Sequence, residues 1–383
     1  MLVQRKLGSD PDVLGSDSPL SKAMALIRPT LDALPVKLYP NRPGTGISPE
    51  WIPDNLVSRI NQLSPDIVNL HMVMMGFLRI ETVSKITQPI VWTLHDMWVF
   101  TGGCYYAGEC ERFTDSCGAC PQLGSSRPYD LTRWIWNRKQ NAWKDPRLTI
   151  VCPSRWLAAA ASRSALLKNS RIETIPYGID TQAFHPVPRE GAREILGLPQ
   201  DKSLVLFGSI NTSDPRKGHH LLTEAMQKLK DAGSLKNIEL VSFGISPKSS
   251  LDDLGVRVHR LGKLSDQVSL KLAYSAANVF VAPSLQDNLP NTVMESLACG
   301  TPCVAFDIGG MGDMIAHEKK GYLAKALDIE DLAHGIEWVL GDSARWRVLK
   351  ENARQKAVLD YSLNIQAQRY LSLYDELLST SAR

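Results

Sequence analysis

Short apolar runs alternate with longer amphipathic stretches along most of the chain. Nine runs read as strands: Asp66–Leu70, Ile90–Leu94, Leu148–Cys152, Ile172–Pro176, Leu204–Gly208, Ile238–Phe243, Val256–His259, Asn278–Ala282 and Cys303–Phe306. Most are four to six residues long, rich in β-branched residues and apolar on both faces, as strands of a parallel sheet covered on both sides should be. Stretches with helical spacing lie between them, among them Gly218–Asp231 and Asp266–Ala276. This alternation predicts βαβ units and doubly wound sheets. It breaks at Tyr177–Pro199, where Pro186, Pro188 and Pro199 read as a linker, leaving two α/β halves. A last amphipathic helix is expected over Leu363–Leu378. The opening MLVQRK reads as a strand beginning at the first residue. A doubly wound domain normally opens with a strand, a glycine-rich turn and a helix, so a first βα unit of roughly 30 residues is expected to be missing, or the fold starts unusually.

The chain has 383 residues, enough for about two domains with cores of their own. Its 43 basic and 40 acidic residues leave a net charge of +3, too balanced for a chain that wraps nucleic acid. No apolar run approaches the ~20 residues that span a bilayer, and the N-terminal stretch has no apolar segment of signal-peptide length. The expectation is a cytoplasmic protein. Repeats and low-complexity tracts are not evident. Cys152, Cys299 and Cys303 sit in apolar contexts and read as buried thiols. Cys104, Cys110, Cys117 and Cys120 cluster as C-x5-C-x6-C-x2-C, for which a structural zinc, disulfides and free thiols all stay open.

Candidate chemistry concentrates in two loops of the C-terminal half. In PSLQDNLPNTVMESLACGTPCVAF, residues 283–306, a strand ends in a polar loop and a helix starts near Asn291, with Asn291 and Thr292 as possible caps. Its backbone N–H groups offer an anion site. Asp287 in the loop and Glu295 in the helix can face one ligand from two sides, and carboxylates accept paired hydrogen bonds from sugar hydroxyls. In LVLFGSINTSDPRKGHHLLTEAM, residues 204–226, a strand ends at Gly208 and a loop brings Arg216 and Lys217 to a helix starting at Gly218. Two cations beside a helix N-terminus, at the carboxyl end of a strand, suit a diphosphate. The spacing is not that of a P-loop.

In the N-terminal half, His95 of TLHD follows a buried strand, with Asp96 placed to orient its ring, and His71 ends the preceding strand. The segment Arg127–Arg147 interleaves six cations with Trp134, Trp136 and Trp143. It reads as a helix packed by its tryptophans, or as one lying on an anionic membrane surface. The lone Asp-x-Asp, Asp10–Asp12, reads as a loop.

These segments resemble the retaining glycosyltransferases of family 4, which have the GT-B architecture. PSLQDNLPNTVMESLACGTPCVA follows the family's pattern of two acidic residues eight apart, and SRWL (Ser154–Leu157), IPYGIDTQAFHP (Ile175–Pro186), DPRKG (Asp214–Gly218) and HRLGKLSD (His259–Asp266) extend the match. WTLHDMWVFTGGCYY, with CGACPQL after it, resembles the colanic-acid and related exopolysaccharide branch. The resemblance implies two Rossmann-like domains facing across a cleft. Residues 1–180 would bind the acceptor, with 363–383 packing back on them, and 181–362 would bind the donor. It implies a metal-independent transfer from a UDP- or GDP-type nucleotide sugar to a glycan or lipid-linked glycan, with no cofactor needed for catalysis.

By the same resemblance, Arg216 and Lys217 hold the donor diphosphate and Glu295 the ribose hydroxyls. Asp287 holds the transferred sugar, which His95 also bonds. Backbone groups at Asn288, Leu289 and Asn291, after Gly208 on the neighbouring loop, complete the cradle, and Arg260–Leu264 line the nucleobase. Two departures stand out. The first acidic position is Asp287 rather than Glu, and Ser209 replaces the Arg that usually follows the strand-ending glycine. The missing opening unit keeps open a second expectation, a non-catalytic or impaired relative that binds nucleotide sugar without transferring it.

Overall fold

The computed structural model describes the chain apart from residues 17, 43–45, 145–146, 212–213, 246–253 and 382–383. The chain divides into two units, one of residues 1–153, 157–174 and 372–383, the other of residues 154–156 and 175–371.

The first unit holds a four-stranded parallel sheet of β1 (Val68–His71), β2 (Ile90–Thr93), β3 (Leu148–Cys152) and β4 (Arg171–Thr174), in that spatial order. Every residue of β2 and β3 is buried, as expected for central strands covered on both faces. Their continuous apolar runs made them the easiest strands to read. The last helix runs over Leu363–Ser381, and from Ser372 onward it groups with this unit. There Tyr374 OH lies 2.6 Å from Asn69 Nδ2, and Arg171 of β4 makes a two-pronged pair with Glu376, both distances 2.7 Å.

The second unit holds β5 (Ser203–Asn211), β6 (Ile238–Ile245), β7 (Val258–Arg260), β8 (Val279–Ala282), β9 (Cys303–Phe306) and β10 (Gly321–Ala324), all parallel. Their order is β10-β9-β8-β5-β6-β7. Alternate residues feed two separate cores: Leu204 and Leu206 of β5 join Phe280 and Ala305 in one, Val205 and Phe207 join Val281 and Phe306 in the other. That alternation is the strand period of two, with apolar residues on both faces. The order reverses between β5 and β8, so the carboxyl ends of these two strands flank a topological switch point, where open α/β sheets bind ligands.

Three expectations change. The opening residues form no strand: Leu2 makes only an isolated bridge to Leu14, and Met1 and Leu7 are exposed, with no apolar face to bury. The proline-rich linker contains a helix, Arg189–Leu196, which buries Ala192 and Arg193 and ends in the left-handed Gly197. Its prolines lie outside the helical turns, where they do not break them. The sheet also has a sixth strand, β10, whose short GYLA sequence carries little strand signal. No described helix is long and apolar enough to cross a membrane.

Candidate active site

At the switch point two loops are locked together through backbone. Gly218 has φ +65°, and a Cβ there would stand 1.8 Å from the Pro283 carbonyl oxygen, so only glycine fits. Leu285 N donates to Arg216 O at 2.7 Å. On the other flank, a Cβ at Gly309 would stand 1.9 Å from Asp287 O, and one at Gly310 1.7 Å from Asn288 O. This seating puts Lys217 Nζ 2.6 Å from Asp287 Oδ2, with their side chains 27% and 11% exposed. Asn288 N also donates to Asp287 Oδ1 at 3.2 Å. Arg216 pairs with Asp214, at 2.6 Å, and Asp214 also caps the turn Pro215–Lys217 by accepting from Arg216 N. The two sequence-predicted cations and the loop carboxylate therefore converge on the ends of β5 and β8.

The helix after the loop starts at Asn291, with Pro290 as its N-cap. Neither Asn291 nor Thr292 caps it, because both already lie inside the helix. The N-terminus is left without a side-chain cap, the condition in which its N–H groups can serve an anion. Gly300, at φ +72°, closes the helix C-terminus. Glu295 is drawn inward from this helix: Tyr274 OH donates to its Oε2 at 2.8 Å. Burial raises its carboxyl to about 7, and the tyrosine bond pulls the other way. Tyr274 went unnoticed in the sequence, where a tyrosine in an apolar helix reads as core. It is also core, with its ring edge-on to Phe243 at 5.8 Å and to Phe280 at 5.5 Å.

Gly208 owes its identity to Phe243, whose ring would lie 2.6 Å from a Cβ there. The next residue, Ser209, is buried, and its hydroxyl has no hydrogen-bond partner among the described residues. An orphaned buried hydroxyl at the end of β5 is a place for a ligand oxygen to bond. Asn288 and Leu289 are buried, whereas Asn291 is exposed. Arg260 ends the edge strand β7 and is exposed, and Leu264 packs on the core around Tyr274. Arg260 thus stands two strands from β5.

In the first unit the parallel register sets His71 of β1 against Thr93 of β2, two residues before His95. The rings meet at the carboxyl edge of the sheet, His71 Nδ1 to His95 Nε2 at 3.1 Å, so one donates and the other accepts. Burial, and then the neighbouring His71, lower His95 to about 4, which keeps it uncharged at neutral pH. Asp96, expected to orient the His95 ring, accepts from Trp98 N through Oδ1 at 2.8 Å and so shapes the next turn, while His71, read only as a separate candidate, is a ring partner of His95.

Two other clusters lie in this unit. Ser48 Oγ stands 2.7 Å from Asp32 Oδ2 and 2.8 Å from Glu50 Oε1. Burial and the charge of Asp32 raise Glu50 to about 8. The basic, Trp-rich segment forms the helix Leu131–Ala142, capped by Asp130. Trp136 and Trp143 are buried, Lys139 is fully buried, and Arg138 pairs with Glu81 at 2.6 Å while stacking on Trp134. Two of the six cations are thus withdrawn from the basic face expected for a membrane surface. Burial pushes the thiols of Cys104 and Cys117 up to about 12. Among the described residues no three His, Cys, Asp or Glu side chains stand in an arrangement that holds a metal ion.

Residues 3–183 match the family model described as Glycosyltransferase Family 4, and residues 188–356 the one described as Glycosyl transferases group 1. Among curated proteins, a D-inositol 3-phosphate glycosyltransferase of Gordonia bronchialis is 29% identical over 227 residues, 56% of this chain and 49% of that protein. The N,N'-diacetylbacillosaminyl-diphospho-undecaprenol alpha-1,3-N-acetylgalactosaminyltransferase of Campylobacter jejuni is 34% identical over 223 residues, 56% of this chain and 57% of that protein. The chain spans about half the length of the curated relatives it matches. Among solved structures, sucrose-phosphate synthase from Thermosynechococcus elongatus superposes with a TM-score of 0.66 at 23% identity, covering 84% of this chain and 76% of its own. Anabaena HepE, solved in complex with UDP and glucose, superposes with a TM-score of 0.60 at 18% identity, covering 84% of this chain and 81% of its own. The two parallel-sheet domains have the GT-B fold.

Proposed function

We propose that this chain, with the GT-B fold and a glycosyltransferase family match in each half, transfers a sugar from a nucleotide diphosphate donor, with retention of anomeric configuration, to a glycan or lipid-linked acceptor in polysaccharide assembly. The observation that carries the reading is the Lys217–Asp287 contact at the switch point of the second sheet. It sets a cation for the diphosphate beside a carboxylate for sugar hydroxyls. The orphaned Ser209 hydroxyl and the uncapped helix at Asn291 add donors suited to phosphate oxygens. Glu295, oriented by Tyr274, accepts from the ribose hydroxyls in its ionised form. A UDP complex of a structure with the same fold favours a uridine donor, and the undecaprenol diphosphate in one relative's name favours a lipid-linked acceptor.

In this mechanism the sugar–phosphate bond lengthens to an oxocarbenium-like transition state, and charge grows on the leaving diphosphate. Lys217, Arg216 and the helix N-terminus stabilise that charge where it develops. The leaving phosphate oxygen takes the proton of the acceptor hydroxyl, so no separate protein base is required. His95, uncharged at neutral pH, serves as a hydrogen-bonding group toward the transferred sugar.

The test is calorimetric titration of the whole chain with UDP, GDP and their sugar conjugates, followed by NMR of the product's anomeric proton. Saturable binding of one nucleotide class, abolished in Glu295→Ala, and a product with the donor's anomeric configuration are expected. A folded chain that binds none of these donors overturns the reading, and binding without turnover on any lipid-linked acceptor identifies a nucleotide-sugar-binding relative instead.

A further inference from the structure

We propose that Cys104, Cys110, Cys117 and Cys120 hold one zinc ion as four thiolates, a structural site independent of the sugar-transfer reading. All four line a single cavity of about 20 Å³, room for one atom of water size, with Arg112 and Thr132 also in its walls. The segment that carries them, between β2 and the helix Leu131–Ala142, contains three-residue turns and an isolated Ile47–Cys104 bridge but no described strand. Trp98, Phe100, Phe113 and Leu123 bury the segment, but no strand ladder ties its cysteine-bearing loops together, and there a bound metal would add folding energy.

The local backbone is shaped for ligation. Cys117 and Cys120 bracket a two-residue knuckle in which Gly118 has φ +140° and Ala119 φ +44°. A left-handed alanine costs roughly 1–2 kcal/mol and needs something to hold it. Around the knuckle, Arg112 Nη1 donates to Gly118 O at 3.0 Å, Cys120 N to Asp130 Oδ2 at 2.8 Å, and Arg133 Nε to Cys117 O. Gly102 N already donates to Cys117 Sγ at 3.1 Å, a bond of the kind that supports a ligating sulfur.

The charge balance gives a second, independent reason. Lys139 is fully buried, and its ammonium donates to Trp98 O and to Thr101 O, the latter at 3.1 Å, and sits 3.6 Å over the Trp98 ring. No carboxylate of a described residue forms an ion pair with it. A buried cation without a counter-charge costs several kcal/mol. Burial lowers that ammonium to about 7, and thiolates at Cys104 and Cys117 would pull it back up, ahead of the carboxylates of Asp96 and Glu50. Binding turns four thiols and Zn²⁺ into a dianionic tetrathiolate and releases four protons. Arg112, in the cavity wall, then faces a centre of opposite sign. Closing on the ion takes rotation of the cysteine side chains within the cavity, since as placed they hold no metal.

The experiment is metal analysis of the whole chain purified under reducing conditions without chelator, with cobalt(II) exchanged for zinc as a spectroscopic probe. One zinc per chain is expected, together with the intense visible absorption of tetrahedral cobalt thiolate. The four cluster thiols should stay unreactive until a mercurial displaces the metal. Cys110→Ser should lose the metal while Cys152→Ser keeps it, and because the wild-type measurement stands alone, misfolding of a variant does not blur the answer. Reduced wild-type protein that takes up neither metal, or a cluster found by mass spectrometry as two disulfides, overturns the proposal.

Discussion

Asp287→Asn should tighten the binding of a bare nucleoside diphosphate while crippling sugar transfer. In the ligand-free protein the Lys217 ammonium is held by Asp287 at 2.6 Å, so a diphosphate must compete with a carboxylate for it. Exposed ion pairs contribute at most about 1 kcal/mol and hydrogen bonds to charged groups about 1.5–3 kcal/mol. With side chains 27% and 11% exposed, this pair falls between those limits. Releasing it should therefore favour UDP by roughly 1–2 kcal/mol, a roughly 5- to 30-fold lower Kd. Asparagine keeps the shape but accepts sugar hydroxyls less strongly, so the preference for UDP-sugar over UDP should disappear. Lys217→Met should do the opposite to UDP, weakening it by roughly 10- to 150-fold through the loss of one charge-assisted bond. The assay is calorimetry with UDP and a UDP-sugar on all three proteins, each checked by its melting profile. If Asp287→Asn weakens UDP as much as Lys217→Met does, the two side chains act together on the diphosphate and the division of labour argued above is wrong.

Three further outcomes are expected. Donor affinity should rise with pH through about 7, because Glu295 must lose its proton to accept ribose hydroxyls; Tyr274→Phe removes a bond that favours the ionised form and should move the midpoint upward in pH-dependent calorimetry. Glu50 is raised from its ordinary value of 4.5 to about 8, so its contribution to stability is full below about 4.5 and is lost as pH climbs from there to about 8, at about 1.4 kcal/mol per pH unit for one proton. Denaturation of Glu50→Gln should lack that slope, and an unchanged slope would refute the assignment. Gly218→Ala should cost roughly 1–2 kcal/mol for its left-handed backbone and displace Pro283, so UDP titration should show weakened binding even where circular dichroism shows a folded protein.

The strands that the sequence located best, Leu148–Cys152 and Cys303–Phe306, are those buried on both sides, where every residue carries the same apolar signal. Elements at the margins of the sheets were harder. The strand Gly321–Ala324 is four residues long and opens with glycine, and the helix Arg189–Leu196 is hidden by prolines that flank it rather than enter it. In the candidate site, the identities of Lys217, Asp287 and Glu295 were legible as motifs, but their relations were not. Lys217 and Asp287 lie 70 residues apart and meet only because β5 and β8 are neighbours, which the strand order decides. His71 and His95 meet through parallel register, and Tyr274 reaches Glu295 from a helix whose pattern announces only burial.

The glycines that grip the Pro283–Asn288 loop also bear on how such a chain could change its donor. Gly218 presses on it from one flank and Gly309 and Gly310 from the other, each so close that a methyl group would collide with a carbonyl oxygen. The loop has no slack to lengthen or swing for a bulkier sugar. New donor preferences would therefore have to arise by exchange of side chains on a fixed track, and directed evolution of this chain should recover substitutions in that loop far more often than insertions or deletions.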